Sequence, residues 1–485
     1  MTAPIDLGRD RGTWDAFGAR DTRDTRDARE ARDARDARDA RDARDARDVR
    51  DLRDPRDTMQ LRVPAALRAR PEREPQPVPD PIPDPGWERD PEPEPERDPE
   101  AAEARSKGGR DRYFDLLRAL ALGRVVLYHN FGWFWLPLVF PSMGVMFALA
   151  GSLMARSLSR PAFGVIRGRL RRLLPPMWLF GAAMIALQIA AGWGPQSDGH
   201  PTWWWSKLAF WVLPLSTPPY ADELSDFGLV ETTWAAQIIV PLWYLRAYLW
   251  YVLFSPLLLR ALRRFPVMTL FAPLAMVIVM NVFFVDQEFV YGRVWENAND
   301  FATFGACWIL GMAHREGLLR KIPQYVLPSV APLIMVAGLW YMQTRPVDPT
   351  VATDIESWPI AQALWSFGFV AMLLHVSPSW DRWPRPLERW NGLISLLNAR
   401  AVSFYLWHQV ALVAAIPLID PLWSVPFVYA NFQWLLASQW FTLLVAIPLL
   451  ALLVLTFGWV EDVAAKRPPR LLPYPRRGRG RRRAD

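Results

Sequence analysis

Cysteine is almost missing from this 485-residue chain: Cys307 stands alone in an apolar segment, so no intrachain disulfide can form. Histidine is scarce too, with five in all. No Cys, His, Asp or Glu spacing reads as a metal site, and neither a Walker loop nor a dinucleotide fingerprint appears. A bound metal is therefore not expected. The first hundred residues hold no apolar h-region, so no cleavable signal peptide is expected, and the first apolar span would serve as an uncleaved insertion signal.

The mean hydropathy is close to zero, but it averages two unlike regions. Residues 1–108 are dominated by Arg, Asp, Glu and Pro. From Arg20 to Arg56 an arginine recurs every third residue, nearly always followed by aspartate. In a helix this places Asp four residues after each Arg, the poorer ion-pair orientation, and Asp is a weak helix former. Residues 71–99 then alternate Pro with charged residues, too polar to bury a core. The expectation is a disordered cytoplasmic tail over 1–108, a membrane domain over 109–462 and a basic disordered tail over 463–485.

Between Tyr113 and about Val460, one apolar run follows another, several near the twenty residues that cross a bilayer. Ten spans are expected, at about 113–131, 133–155, 172–192, 242–262, 266–285, 299–314, 324–343, 358–376, 400–418 and 434–457. The fold class is an all-α membrane protein. Arginines and lysines gather before span one, after every even-numbered span and in the C-terminal tail, whereas the intervening loops lean acidic (Asp222, Glu223, Glu231; Asp286, Glu296; Asp348, Asp354, Glu356). The positive-inside rule then puts both termini in the cytoplasm. It also explains the basic excess by topology in a lipid bilayer, with no nucleic-acid partner. The longest acidic loop, about 193–241, opens with tryptophans at 193 and 203–205 and is a candidate lid or acceptor-binding element.

Span one carries the costliest residues. Within YFDLLRALALGRVVLYHN, Arg118 and His129 are eleven apart, which on an α-helix leaves them about 20° apart in azimuth and about 16 Å apart in rise. Ionisable groups survive in lipid where protein or a wet cavity surrounds them, and by default they mark function. Arg124 lies on another face and can pair with a neighbouring helix or a carbonyl; Asp115 can pair with Arg118 but is too far along the axis to orient His129. Arg169 and Arg172, three apart at the start of span three, suit phosphate groups through bidentate pairing and a positive helix end. Their plainer reading is topological charge. His408, inside span nine, and Arg246, opening span four, are further candidates. His408 reads as structural, bonded to another helix; Arg246 would bind an anion or neutralise Glu231 or Glu296.

Together, Arg118-x10-His129, GVMFALAG over 144–151, Arg169-x-x-Arg172-x-x-Pro175, LWYLRAYLWYVLFSPLL in span four and SFYLWH ending at His408 resemble the acyltransferase-3 family of integral membrane acyltransferases. The resemblance covers about 110–460. Ala150 departs from it, standing where the family usually has serine before the glycine. The resemblance implies an acyl-CoA donor, with acetyl-CoA the common case, entering from the cytoplasm. It further implies an acceptor hydroxyl, often on a carbohydrate such as an envelope polysaccharide, glycolipid or secondary metabolite. Arg118, Arg169 and Arg172 would hold the donor phosphates and His129 would act as general base, or else carry the acyl group itself. A multi-span transporter or exporter is the alternative for intramembrane Arg and His, though no internal repeat is evident; a scaffold built around the tail would leave these residues idle.

Overall fold

The computed structural model describes residues 111–470, apart from 198–200, 225–231, 285–291, 345–352, 379 and 381. Residues 1–110 and 471–485, and also Glu231, Asp286 and Asp348, lie outside the described residues; the start of the expected C-terminal tail, 463–470, does not. Among the described residues the chain is helical throughout, without strands. The longer elements are α1 (Arg112–Phe131), α3 (Ser142–Ser157), α4 (Ala162–Ala190), α5 (Pro201–Val212), α7 (Leu242–Arg264), α8 (Pro266–Phe283), α9 (Arg293–Arg315), α10 (Val326–Gln343), α11 (Pro359–His375), α13 (Ala401–Trp423), α14 (Pro426–Leu436) and α15 (Gln439–Phe457). Four short α-helices, α2 (Leu136–Val139), α6 (Trp234–Ile239), α12 (Asn391–Ala399) and α16 (Trp459–Ala464), and three 3-10 turns complete the order among the described residues.

Among the described residues, seven helical stretches are long and apolar enough to cross a membrane, which makes this a multi-pass membrane protein: 136–157, 162–190, 234–264, 266–283, 326–343, 401–423 and 439–464. The other three expected spans are also helices but fall short of that standard. α1 carries Arg112, Asp115, Arg118 and Arg124; α9 begins with polar residues including Asn297, Asn299 and Asp300; α11 has 17 residues. Several boundaries need correction, among them the start of span three, since α4 begins at Ala162 and not near residue 172. The expected span 133–155 is broken at Phe140-Pro141 between α2 and α3, and 434–457 starts in the tail of α14 rather than in α15.

Burial separates inner from outer helices. The apolar window of 136–157 is 78% buried, against 17% in α8 and 22% in α10, which present Met268, Phe283, Leu333 and Trp340 outward. A helix apolar all round belongs in a core, and one apolar mostly on its outside belongs against lipid. At the centre α3 crosses α9 backbone to backbone. A Cβ on Gly151 would lie 2.1 Å from the Trp308 carbonyl oxygen, and one on Gly311 would lie 1.9 Å from that of Ala148. Small residues permit this approach, since lipid supplies no hydrophobic drive and close van der Waals contact must hold the helices together.

Candidate active site

The side chain of Asp111 caps α1 by accepting from the Tyr113 amide at 2.9 Å, and Gly132, at φ 62°, ends it in the left-handed region. One uninterrupted helix therefore carries both Arg118 and His129. At one end, Arg118 lies 3.7 Å from the Asp115 carboxylate and donates to the side chain of Asn398 at 3.4 Å; Asn398 in turn donates to the Asp115 carbonyl.

At the other end, His129 is half-buried, and its Nδ1 lies 2.9 Å from the Val125 carbonyl oxygen. A carbonyl only accepts, so Nδ1 carries the proton, and Nε2 of the neutral ring keeps its lone pair. His408 stands edge-to-face against it at 5.1 Å between centroids. It is fully buried and held the same way, Nδ1 to the Tyr405 carbonyl of its own helix. Its Nε2 finds no hydrogen-bond partner among the described residues, which corrects the expected bond to another helix. A lone imidazole on an apolar helix gives no sign in sequence of which ring it will face.

Arg124 meets a partner that span one alone could not reveal. It donates to Glu356 at 2.7 Å across 232 residues, and it lies 4.8 Å above the Tyr128 ring. The Tyr128 hydroxyl bonds to Asp354, which also accepts from the Glu356 amide at 3.0 Å. The 3-10 turn Ile355–Ser357 is thereby tied to the stretch of α1 just before His129. Burial pushes the Glu356 carboxyl above the usual carboxylate range, and Arg124 opposes that rise.

A cavity of about 1510 Å³ opens beside Arg118. Arg118, Arg169 and Arg172 all line it, joined by Arg156, Arg263 and Arg315 from the ends of other helices and by Arg160 and Arg467 from segments between or after them. Arg169 donates to two neutral hydroxyls, Tyr248 at 3.0 Å and Ser157 at 3.4 Å. Arg172 sits among the like charges of Arg169 and Arg467, with Glu461 as a counter-charge. Arg263 is held bidentately by Glu316 at 2.7 and 3.0 Å, and that contact draws the Glu316 carboxyl below its usual range. Deeper in, Leu122, Met146, Leu153, Tyr244 and Tyr405 give an apolar and aromatic wall. A charged mouth over an apolar interior fits a ligand with phosphates at one end and an extended arm at the other. Arg169 and Arg172 do not, however, stand at a helix end. α4 starts at Ala162, so both lie two to three turns inside it, and any anion would be held by guanidinium groups rather than by free amides.

His129 does not line this cavity; the nearest link is Tyr405, which lines it and packs 5.6 Å from His408. Arg246 lies elsewhere, on a second cavity of about 890 Å³. There it pairs with Asp300 at 2.9 Å and approaches Glu296 at 3.6 Å, so of the two expected counter-charges Glu296 is present, and Asp300 was missed. Of the expected lid, α5 and α6 are helical, with Trp193 and Trp204 buried while Trp203 and Trp205 are exposed. Asp300, Tyr405, Glu356 and Asn398 acquire meaning only through partners remote in the chain.

No curated protein and no solved structure matches the chain. A family model does, that of an acyltransferase domain, and it spans residues 111–460, which takes in α1 through α15, the second cavity and the arginine cavity apart from its lining residues beyond 460. The chain belongs to the acyltransferase-3 family.

Proposed function

We propose that this membrane acyltransferase moves an acyl group, acetyl being the simplest, from acyl-CoA to a hydroxyl of a sugar-containing acceptor, with His129 as general base. The observation that carries the reading is the Nδ1 contact of His129 with the Val125 carbonyl. It leaves Nε2 as acceptor on the same helix whose other end, at Arg118, borders the arginine-lined cavity.

The cavity supports a CoA donor. Arg118, Arg169 and Arg172 would bind its phosphates as point charges and forks, while the wall from Leu122 to Tyr405 would take the apolar arm toward the histidine pair. With both termini in the cytoplasm, as the loop charges argue, the arginine mouth faces the cytoplasmic acyl-CoA pool and His129 lies toward the opposite surface.

In the proposed step, His129 Nε2 takes the acceptor's hydroxyl proton as that oxygen attacks the thioester carbonyl. The C–O bond forms, the C–S bond breaks, and the leaving CoA thiolate recovers the proton from the imidazolium. General-base catalysis of this kind typically contributes ~10²–10⁴-fold. The carbonyl-anchored Nδ1 keeps the ring in one tautomer through the cycle.

Purified protein in lipid nanodiscs, given radiolabelled acetyl-CoA and hydroxylated acceptors, tests the reading. Label should reach the acceptor without a second compartment, and His129→Ala should abolish transfer while retaining CoA binding. Full activity in that variant would remove His129 from the mechanism. Label recovered on His129 itself would replace direct attack with a relay through an acyl-histidine.

A further inference from the structure

The second cavity has a composition of its own. Trp243, Trp295 and Trp358 line it together with Tyr220 and Tyr341, and these rings are interleaved with Glu296, Asp300, Asn281 and Asn299. Asn281 donates to Asn299 at 2.7 Å, which sets two amides side by side at the wall. The charge count is two carboxylates to one guanidinium, since Arg246 pairs with both Asp300 and Glu296. The Glu296 side chain remains 55% exposed, so its carboxylate has room to accept from a ligand.

Flat aromatic faces offer apolar area to the C–H faces of a sugar ring, while carboxylates and amides accept and donate to its hydroxyls. An excess of carboxylate repels an anionic ligand. Neither histidine lines the cavity, but two chains of residues lead from its wall to the histidine pair. Ser357 and Trp358 follow directly on Glu356, which is bonded to Arg124 five residues before His129. Trp243 precedes Tyr244, whose ring packs 5.0 Å from Tyr405 beside His408.

We propose that this cavity is the acceptor subsite and takes a neutral polyhydroxylated ring, stacked on its tryptophans and held by Glu296 and Asp300, in preference to an acidic sugar. The proposal rests on the acyltransferase reading for its role but not for its ligand. Within it, Arg246 is a positioning residue that holds the two carboxylates apart and oriented.

Binding is measured apart from transfer, by saturation-transfer NMR of the full chain in nanodiscs with methyl glucoside and methyl glucuronide as probes. The glucoside should bind more tightly than the glucuronide. Glu296→Gln should weaken glucoside binding about tenfold, the loss expected for a hydrogen bond to a charged group, and should narrow the preference over glucuronide. Acetyl-CoA affinity should not change. An absence of glucoside binding, equal binding of the two sugars by the wild type, or unchanged glucoside affinity in Glu296→Gln would each overturn the site. Glucoside binding with this pattern, but with no acyl transfer to any hydroxyl, would uphold the sugar site and overturn the hydroxyl-transfer reading instead.

Discussion

The imidazoles of His129 and His408 meet edge to face at 5.1 Å, and each is anchored through Nδ1 to a carbonyl of its own helix. Two rings anchored through the same nitrogen thus share one contact, one half-buried and one sealed. His408 sits where it can fix the plane of His129 without touching the cavities, since it lines neither. His408→Ala should therefore lower kcat by about ten- to a hundredfold, the order expected when a reacting group is misplaced by about 1 Å. The Michaelis constant for donor should barely move. His408→Phe, which keeps a ring against His129, should recover part of that loss. A large rise in donor KM, with kcat intact, would show that His408 belongs to the binding surface.

The arginine cavity predicts a salt dependence. Arg172→Ala and Arg169→Ala should each raise the KM for acetyl-CoA about tenfold, at little cost to kcat, because the charge acts on the phosphates and not on the thioester. Raising ionic strength should raise the wild-type KM as well, since exposed charges are screened within about 8–10 Å. The dependence should flatten in the double variant. Steady-state kinetics over a salt series decides it; an unchanged KM in Arg172→Ala would return that residue to topology alone.

Much of this arrangement was legible in the sequence for a physical reason. Helices in lipid must satisfy their own backbone, so apolar run lengths mark them, and charge alternation sorts their ends. Arg156, Arg169, Arg263 and Arg315, assigned to one side by that alternation, do converge on one cavity. The start of α4 was misplaced because its first ten residues are amphipathic and basic, and hydropathy reads them as loop. The pairs Arg118–Asp115 and Arg246–Glu296 were foreseeable from charge and position, but the other long-range partnerships were out of reach. Arg124 with Glu356, Arg246 with Asp300, and His129 with His408 join residues 54 to 279 positions apart. No local period encodes which helix faces meet.

The Gly151–Gly311 crossing is a site where one methyl group should be felt. With Cβ positions about 2 Å from opposing carbonyl oxygens, Gly311→Ala forces α3 and α9 apart. Overpacking of this kind typically costs about 1–3 kcal/mol, and here the opposing atoms are backbone that cannot swing aside. Thermal unfolding in nanodiscs should show a lower midpoint for Gly311→Ala and for Gly151→Ala. Gly164→Ala should behave as wild type, because nothing lies within 4 Å of that position. Equal midpoints for all three would mean that the helices do not cross this closely.

The Arg124–Glu356 pair predicts both a stability loss and a pH signature. Arg124 is 6% exposed, so an apolar side chain with no acceptor in place of its partner strands a buried cation; Glu356→Leu should cost about 3–5 kcal/mol, the usual penalty for breaking a buried pair. Replacing both by apolar residues, Arg124→Leu with Glu356→Leu, should recover much of it. Burial holds the folded-state pKa of Glu356 above its ordinary 4.5, so folding favours the protonated carboxyl. Its contribution to stability is therefore complete below 4.5 and is lost as pH rises through the folded value. Thermal midpoints measured upward from pH 4 should fall less steeply in Glu356→Gln than in wild type, because the amide does not titrate. Identical slopes would mean that Glu356 titrates alike folded and unfolded, and so that the turn at Ile355–Ser357 does not bury it against α1.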